Sequence, residues 1–168
     1  MAKHAQWFVT GAAILFLTAC SSYTAAPNTQ AIVKLPAFEL RQFKGKSVAV
    51  TAKDIRADAA DSARLERQLV HDLTAALTTA GASVVEKSPN TIDVKVVKLR
   101  ADKSNRDSWE GCATMTATVR MEAQESRTVR TDRCSPTSVW AGMFPQQAAT
   151  NKAYADAVVD LLSQLDAM

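Results

Sequence analysis

Ala113-Thr114-Met115-Thr116-Ala117-Thr118-Val119-Arg120-Met121-Glu122-Ala123 alternates in polarity along its whole length. Met115, Ala117, Val119 and Met121 fall on one side, and Thr114, Thr116, Thr118, Arg120 and Glu122 on the other. A period of two is the period of a strand, and this one has one face for a core and one for water. That is the pattern of an antiparallel sheet covered by helices on a single side. The neighbouring segments must therefore supply further strands and an apolar helical layer.

The next segment, Glu125 to Arg133, is more polar, with Val129 as its apolar mark. If Val129 shares the inner face with residues 115 to 121, a one-residue slip is forbidden, because it would turn the side chain outward. A tight turn over Glu122-Ala123-Gln124 then places Ala117 opposite Val129 and Cys112 opposite Cys134. The register makes these cysteines a candidate cross-strand disulfide, the alternative being two separate buried thiols. Closing a loop of about 20 residues would stabilise the fold by roughly 3 kcal/mol.

Upstream, Thr91 to Leu99 carries Ile92, Val94 and Val96 on one side, then Val97 and Leu99 on the other. The change of side predicts a bulge near Val96. Asp102 to Trp109 is polar with charges of both signs and is expected to be a loop. Asp58 to Ala80 is an amphipathic helix, with Leu65, Leu69, Leu73, Ala76, Leu77 and Ala80 at three- and four-residue steps. Asp58, Asp61 and Ser62 offer capping oxygens at its start, and Gly81 suits a left-handed exit. Short strands are expected at Ser47 to Lys53 and Ala82 to Val85. At the other end, a helix from about Gln146 to Leu165 presents Tyr154, Ala157, Val158, Leu161, Leu162 and Leu165. Between strand and helix lies Ser138 to Pro145, with Trp140, Met143 and Phe144. It reads either as a plug over the core or as a contact patch, since large aromatics are effective interface anchors.

The amino terminus has a different character. Lys3 and His4 precede an apolar run from Phe8 to Leu17, followed by Leu17-Thr18-Ala19-Cys20. The run is the length of a signal peptide and falls short of the roughly 20 apolar residues a spanning helix needs. Leu17-Thr18-Ala19-Cys20 resembles the lipobox of bacterial lipoproteins. That resemblance implies a diacylglycerol on the Cys20 thiol, cleavage before Cys20, and acylation of the new amino terminus, palmitate being among the acyl groups. Two or three chains hold durably, whereas one is marginal at about 0.8 kcal/mol per buried CH₂. In the family, Asp after the cysteine favours the inner membrane; Ser21 and Ser22 stand here, which implies the periplasmic side of a Gram-negative outer membrane. The division expected is a cleaved signal over 1–19, a lipidated cysteine and tether over 20–44, and one periplasmic domain over 45–168. Such a compartment permits the Cys112–Cys134 bond.

The composition excludes several functions. A net charge of +3, or +2 without Lys3, is too small for a nucleic-acid surface. Gly45-Lys46-Ser47 lacks the earlier glycine of a phosphate loop, since Leu40 stands there. Asp54, Asp58 and Asp61 lack the glycine and glutamate of a calcium loop. No Cys and His cluster has metal-site spacing, so neither metal nor cofactor is expected. His71, the one histidine after residue 19, sits beside Asp72, which points about 100° away round the helix. No catalytic residue is assigned.

The elements combine as β-α-β-β-β-β-α. The economical solution is an α+β two-layer sandwich, with two helices on one face of a mostly antiparallel sheet of four to five strands. The order is similar to that of small periplasmic accessory lipoproteins, including the lipopolysaccharide-assembly lipoprotein and auxiliary lipoproteins of lipid-transport ABC systems. That similarity implies a membrane-anchored interaction subunit of an envelope assembly, secretion or transport complex. The alternative is a carrier of a lipid or small apolar molecule between helices and sheet.

Overall fold

The computed structural model describes residues 22–23, 36–57, 59, 61–138 and 144–168. Its elements in chain order are β1 (Ser22–Tyr23), a 3-10 turn (Arg41–Phe43), β2 (Ser47–Asp54), α1 (Ser62–Thr79), β3 (Ser83–Val84), β4 (Thr91–Asn105), β5 (Ser108–Arg120), β6 (Arg127–Ser138) and α2 (Pro145–Asp166). The sheet runs β3-β2-β4-β5-β6, with β1 beside β4. β2 is parallel to β3 and β4, while β4–β5, β5–β6 and β1–β4 are antiparallel. This is the expected two-layer α+β architecture.

The alternating stretch places Met115, Ala117, Val119 and Met121 under the helices, all at most 7% exposed. Leu65, Leu69, Leu73 and Leu77 of α1 meet Val158, Leu161, Leu162 and Leu165 of α2 in one cluster over the strands. In β4 the register slips between Val96 and Lys98, so Val97 is the bulged residue. Ile92, Val94 and Val96 face the core before it, and Leu99 and Ala101 after it. α1 closes through Gly81 at φ 89°, with its N–H donating to the Thr78 carbonyl and Ala82 N–H to that of Leu77. A residue without Cβ penalty is what such a left-handed exit favours.

Several expectations need correction. The loop expected over Asp102 to Trp109 is instead the end of a long hairpin, paired through Lys103↔Trp109 and Asn105↔Ser108. Its side chains are polar because the strands outrun the main core there, not because pairing stops. Ala101, Trp109 and Ala149 form a separate small cluster beneath it. Strand β5 accordingly begins at Ser108 and ends at Arg120, and Ala123 turns the chain at φ 63°. The helix expected from Asp58 begins at Ser62; Asp58 lies outside the described residues. Asp61 occupies the cap position without a side-chain capping bond to a backbone N–H of the helix. Its carboxylate goes to arginines instead, 3.4 Å from Arg56 and 3.2 Å from Arg64. Ser62 Oγ donates to the Ala59 carbonyl.

The later part of the segment over 20–44 lies along the domain, as the apolar residues Phe38, Leu40 and Phe43 lead one to expect. Leu40 and Phe43 are fully buried, Phe38 packs against the same core, and Gln42 Nε2 donates to the Leu165 carbonyl. At its start, Ser22 and Tyr23 pair with Asp102 and Ala101.

Candidate functional site

The free edge of β4 is covered piece by piece. β2 pairs with it as far as Val96, and Ile55 N–H extends the ladder by donating to the Val96 carbonyl at 3.0 Å. Arg56 Nη1 then donates to the Leu99 carbonyl at 3.1 Å, and β1 takes over at Ala101 and Asp102. Arg56 itself is gripped by Asp54, with Nε 2.9 Å from Oδ1 and Nη2 2.7 Å from Oδ2. The two side chains are 7% and 0% exposed. Burial alone would push the Asp54 carboxyl up; the hydrogen bonds from Arg56 and Ser62 outweigh it and hold the group below the usual carboxylate range. Charge-assisted fork bonding thus fixes the point where β2 hands the edge to β1.

β1 matters because Cys20 stands two residues before Ser22. Cys20 itself lies outside the described residues, as do Trp140 and Met143. Phe144 is described, as the cap residue of α2, and is 69% exposed. It does not plug the core. α2 begins at the hairpin end of the sheet: Gly111 lies so close under Ala149 that a Cβ would fall 2.0 Å from its carbonyl oxygen.

The sheet face away from the helices is open. Cys112 and Cys134 are opposite one another there, joined by a disulfide across a Cα separation of 4.1 Å. Around them Thr114 Oγ1 donates to Asp132 Oδ1 at 2.9 Å, Thr51 Oγ1 to Asp93 Oδ1 at 2.7 Å, and Thr118 and Thr128 hydroxyls lie 3.4 Å apart. Lys53 and Lys95 are direct neighbours in the ladder, with Lys98 and Arg100 further along β4. The result is a firm polar platform, cationic along its β2–β4 side.

The helices hold a polar contact that the periodicity of α1 did not predict. Asp72, expected off the apolar stripe, is 8% exposed and accepts from Tyr154 Oη at 2.7 Å and Gln68 Nε2 at 2.8 Å. Burial and then the Asp72 charge push the Tyr154 phenol well above its ordinary range. Tyr154 lies in the apolar stripe of α2, and a buried phenol needs an acceptor; that requirement was the available signal. His71 is not turned away as helix geometry suggested, since Nδ1 lies 3.3 Å from Asp72 Oδ1. Its side chain is 78% exposed, and Asp72 is already engaged by Tyr154 and Gln68, so the group reads as a helix-to-helix tie.

At the far end from Phe144, an open cleft of about 460 Å³ is lined by Gln42, Val119, Met121, Gln124, Arg127 and Met168 among others. Among the described residues no group of three or more His, Cys, Asp or Glu could hold a metal ion, and no helix is long and apolar enough to cross a membrane.

No protein-family model matches the chain, and no curated protein matches it in sequence. Solved structures do resemble it. A Xanthomonas campestris protein described with the DUF330 family model is similar at 12% identity and a TM-score of 0.52, over 86% of this chain and 89% of that one. At that identity the likeness is one of fold. The PelC dodecamer of Paraburkholderia phytofirmans gives 12% identity and a TM-score of 0.48, over 71% and 87% of the two chains. Rare lipoprotein B of Shewanella oneidensis gives 5% and 0.43, over 71% and 89%.

Proposed function

We propose that the protein is a lipoprotein of the cell envelope, anchored through acyl chains on Cys20 at the periplasmic side of the outer membrane. There it acts as an accessory subunit of an envelope assembly, secretion or transport complex. The observation that carries this reading is Leu17-Thr18-Ala19-Cys20, set after an apolar run and only two residues ahead of the first residue in the sheet. The Cys112–Cys134 pairing supports it, because such a bond suits an oxidising compartment. The docking surface is the open sheet face, whose threonines and acids are held in place by one another while Lys53 and Lys95 stand exposed beside them. Carriage of an apolar ligand would need room between helices and sheet, where Leu65, Leu69, Leu73, Leu161 and Leu162 are fully buried. That favours docking.

Two measurements test the reading. Labelled palmitate should enter the wild-type protein and not Cys20→Ala, and the mature mass should match an acylated chain starting at Cys20. A photocrosslinker at Thr116 should then capture a defined envelope protein in intact cells, whereas one at Arg67 on α1 should not. Equal capture from both positions removes the open face as the docking surface.

A further inference from the structure

The direction of β1 fixes more than its place. β1 is antiparallel to β4, with Ser22 opposite Asp102 and Tyr23 opposite Ala101. Chain preceding Ser22 therefore leaves the sheet at the end where β4 turns into β5, between Asn105 and Ser108. Two residues span at most about 7 Å, so an acyl chain on Cys20 starts close to that turn. With the anchor proposed at Cys20, only Ser21 separates the lipidated residue from the first residue of the sheet. Phe144 belongs to the same end. β6 reaches it at Ser138, opposite Ser108, and α2 starts from it, with Ala149 packed on Trp109 and Ala101. Of the large apolar side chains in the described residues, Phe144 is the most exposed.

We propose that this end is a bilayer-contact surface, and that the domain stands upright on the lipid leaflet that holds its anchor. The inference rests on acylation at Cys20. The turn Asn105-Arg106-Asp107-Ser108 and the start of α2 meet the headgroups, with Phe144 in the interfacial layer, where an aromatic ring is well accommodated. Lys103 and Arg106 are exposed there, but so is Asp107, so charge alone does not drive the contact. The short tether does, by keeping the local lipid concentration high. The 13 residues of β5, at about 3.4 Å each, place the Met121 to Ser126 turn roughly 40 Å from the membrane. The open sheet face then stands perpendicular to the leaflet, accessible along its length.

The test uses the full acylated protein in vesicles of phosphatidylethanolamine and phosphatidylglycerol, with its mass measured first. Amide hydrogen exchange is compared with unacylated Cys20→Ala in the same vesicles. Amides from Ser104 to Asp107 should slow at least tenfold in the acylated protein, while those from Glu122 to Ser126 stay unchanged. A second variant with about ten Gly and Ser residues inserted between Ser21 and Ser22 should keep its acyl mass and membrane residence yet lose the protection. A mass without acyl chains overturns the anchor and this orientation together. Acyl chains without slowing at 104–107, slowing at 122–126 instead, or full protection in the extended variant, overturns the orientation alone.

Discussion

Replacing Gly111 by alanine tests whether α2 is seated on the sheet as closely as described. A Cβ at this position would lie 2.0 Å from the Ala149 carbonyl oxygen, 2.5 Å from its carbonyl carbon and 3.1 Å from Ala153 Cβ. Contacts of real Cβ atoms essentially never fall under 3.0 Å, so helix and strand must separate by at least 1 Å. The obstacle is backbone on both sides, and no rotamer change relieves it. Overpacking of this kind costs about 1–3 kcal/mol. For a domain of this size that corresponds to a fall in Tm of between about 3 and 15 °C. The strain also has a location. Ala149 forms a small cluster with Ala101 and Trp109, and Trp109 is 8% exposed. Lifting α2 should open that cluster and shift Trp109 emission to the red, measured in a Trp140→Phe background.

Gly45→Ala is the matched control. At φ 71° it is strained by its backbone alone, with nothing within 4 Å of an added Cβ. It should cost about 1–2 kcal/mol without moving Trp109 emission. Should Gly111→Ala melt within a degree of the parent with unchanged emission, α2 does not rest on β5 in this way, and the placement of Phe144 at the hairpin end goes with it.

Other perturbations read other parts of the fold. Tyr154→Phe removes the donor at 2.7 Å from Asp72 and leaves a buried carboxylate oxygen short of a partner; urea unfolding should show a loss of about 1–3 kcal/mol. Cys112→Ser with Cys134→Ser releases a loop of sequence separation 22 and should lower stability by about 3 kcal/mol, while reductant should no longer change the melting of the double variant. Asp54, Asp156 and Asp160 are all held below the usual carboxylate range; in each case burial opposes the shift and bonds to Arg56, Lys152 and Ser135, or Arg133 prevail. Their folded values lie below the unfolded ones, so their contribution is present above the ordinary range near pH 4 and is lost as pH falls through the folded values. Melting temperature should therefore drop as pH is taken from about 5 toward 2, and Arg56→Met should flatten part of that drop while lowering stability at pH 7.

The segments that could be read correctly from sequence are those whose side chains face two different media. Residues 113 to 121 alternate because one row meets the helices and the other meets water. The leucines of α1 and α2 repeat at helical steps for the same reason. Even the pairing of β5 with β6 was legible: keeping Val129 on the inner face forbids a one-residue slip, and a tight turn over Glu122-Ala123-Gln124 then selects the register that sets Cys112 opposite Cys134. Asp72 escaped because it sits at the border of the α1 stripe, where Tyr154 on another helix supplies its donor, 82 residues away in the chain. The Asp61 cap was misassigned for a similar reason: Arg56 and Arg64 compete for the carboxylate more strongly than backbone N–H groups do.

The stretch from Asp102 to Trp109 fails differently. Periodicity identifies a strand by the contrast between its faces, and the contrast vanishes once a hairpin extends beyond the helices that cover it. Lys103, Ser104, Asn105, Arg106 and Asp107 are exposed for this reason, though the ladder continues through Asn105↔Ser108. A two-stranded ribbon projecting into water is only marginally stable by itself. Here β1 adds a third strand at Ala101 and Asp102, and β6 adds a fourth through Trp109↔Thr137 and Ser108↔Ser138. The projection is thus braced on both edges, and one brace leads directly to Cys20. Bracing of this kind is what the proposed anchoring at Cys20 would call for. Under the orientation proposed above, a spacer that holds the domain upright on a leaflet would gain stiffness at the place where the bilayer applies load, and long paired strands with few residues between Cys20 and Ser22 suit that role.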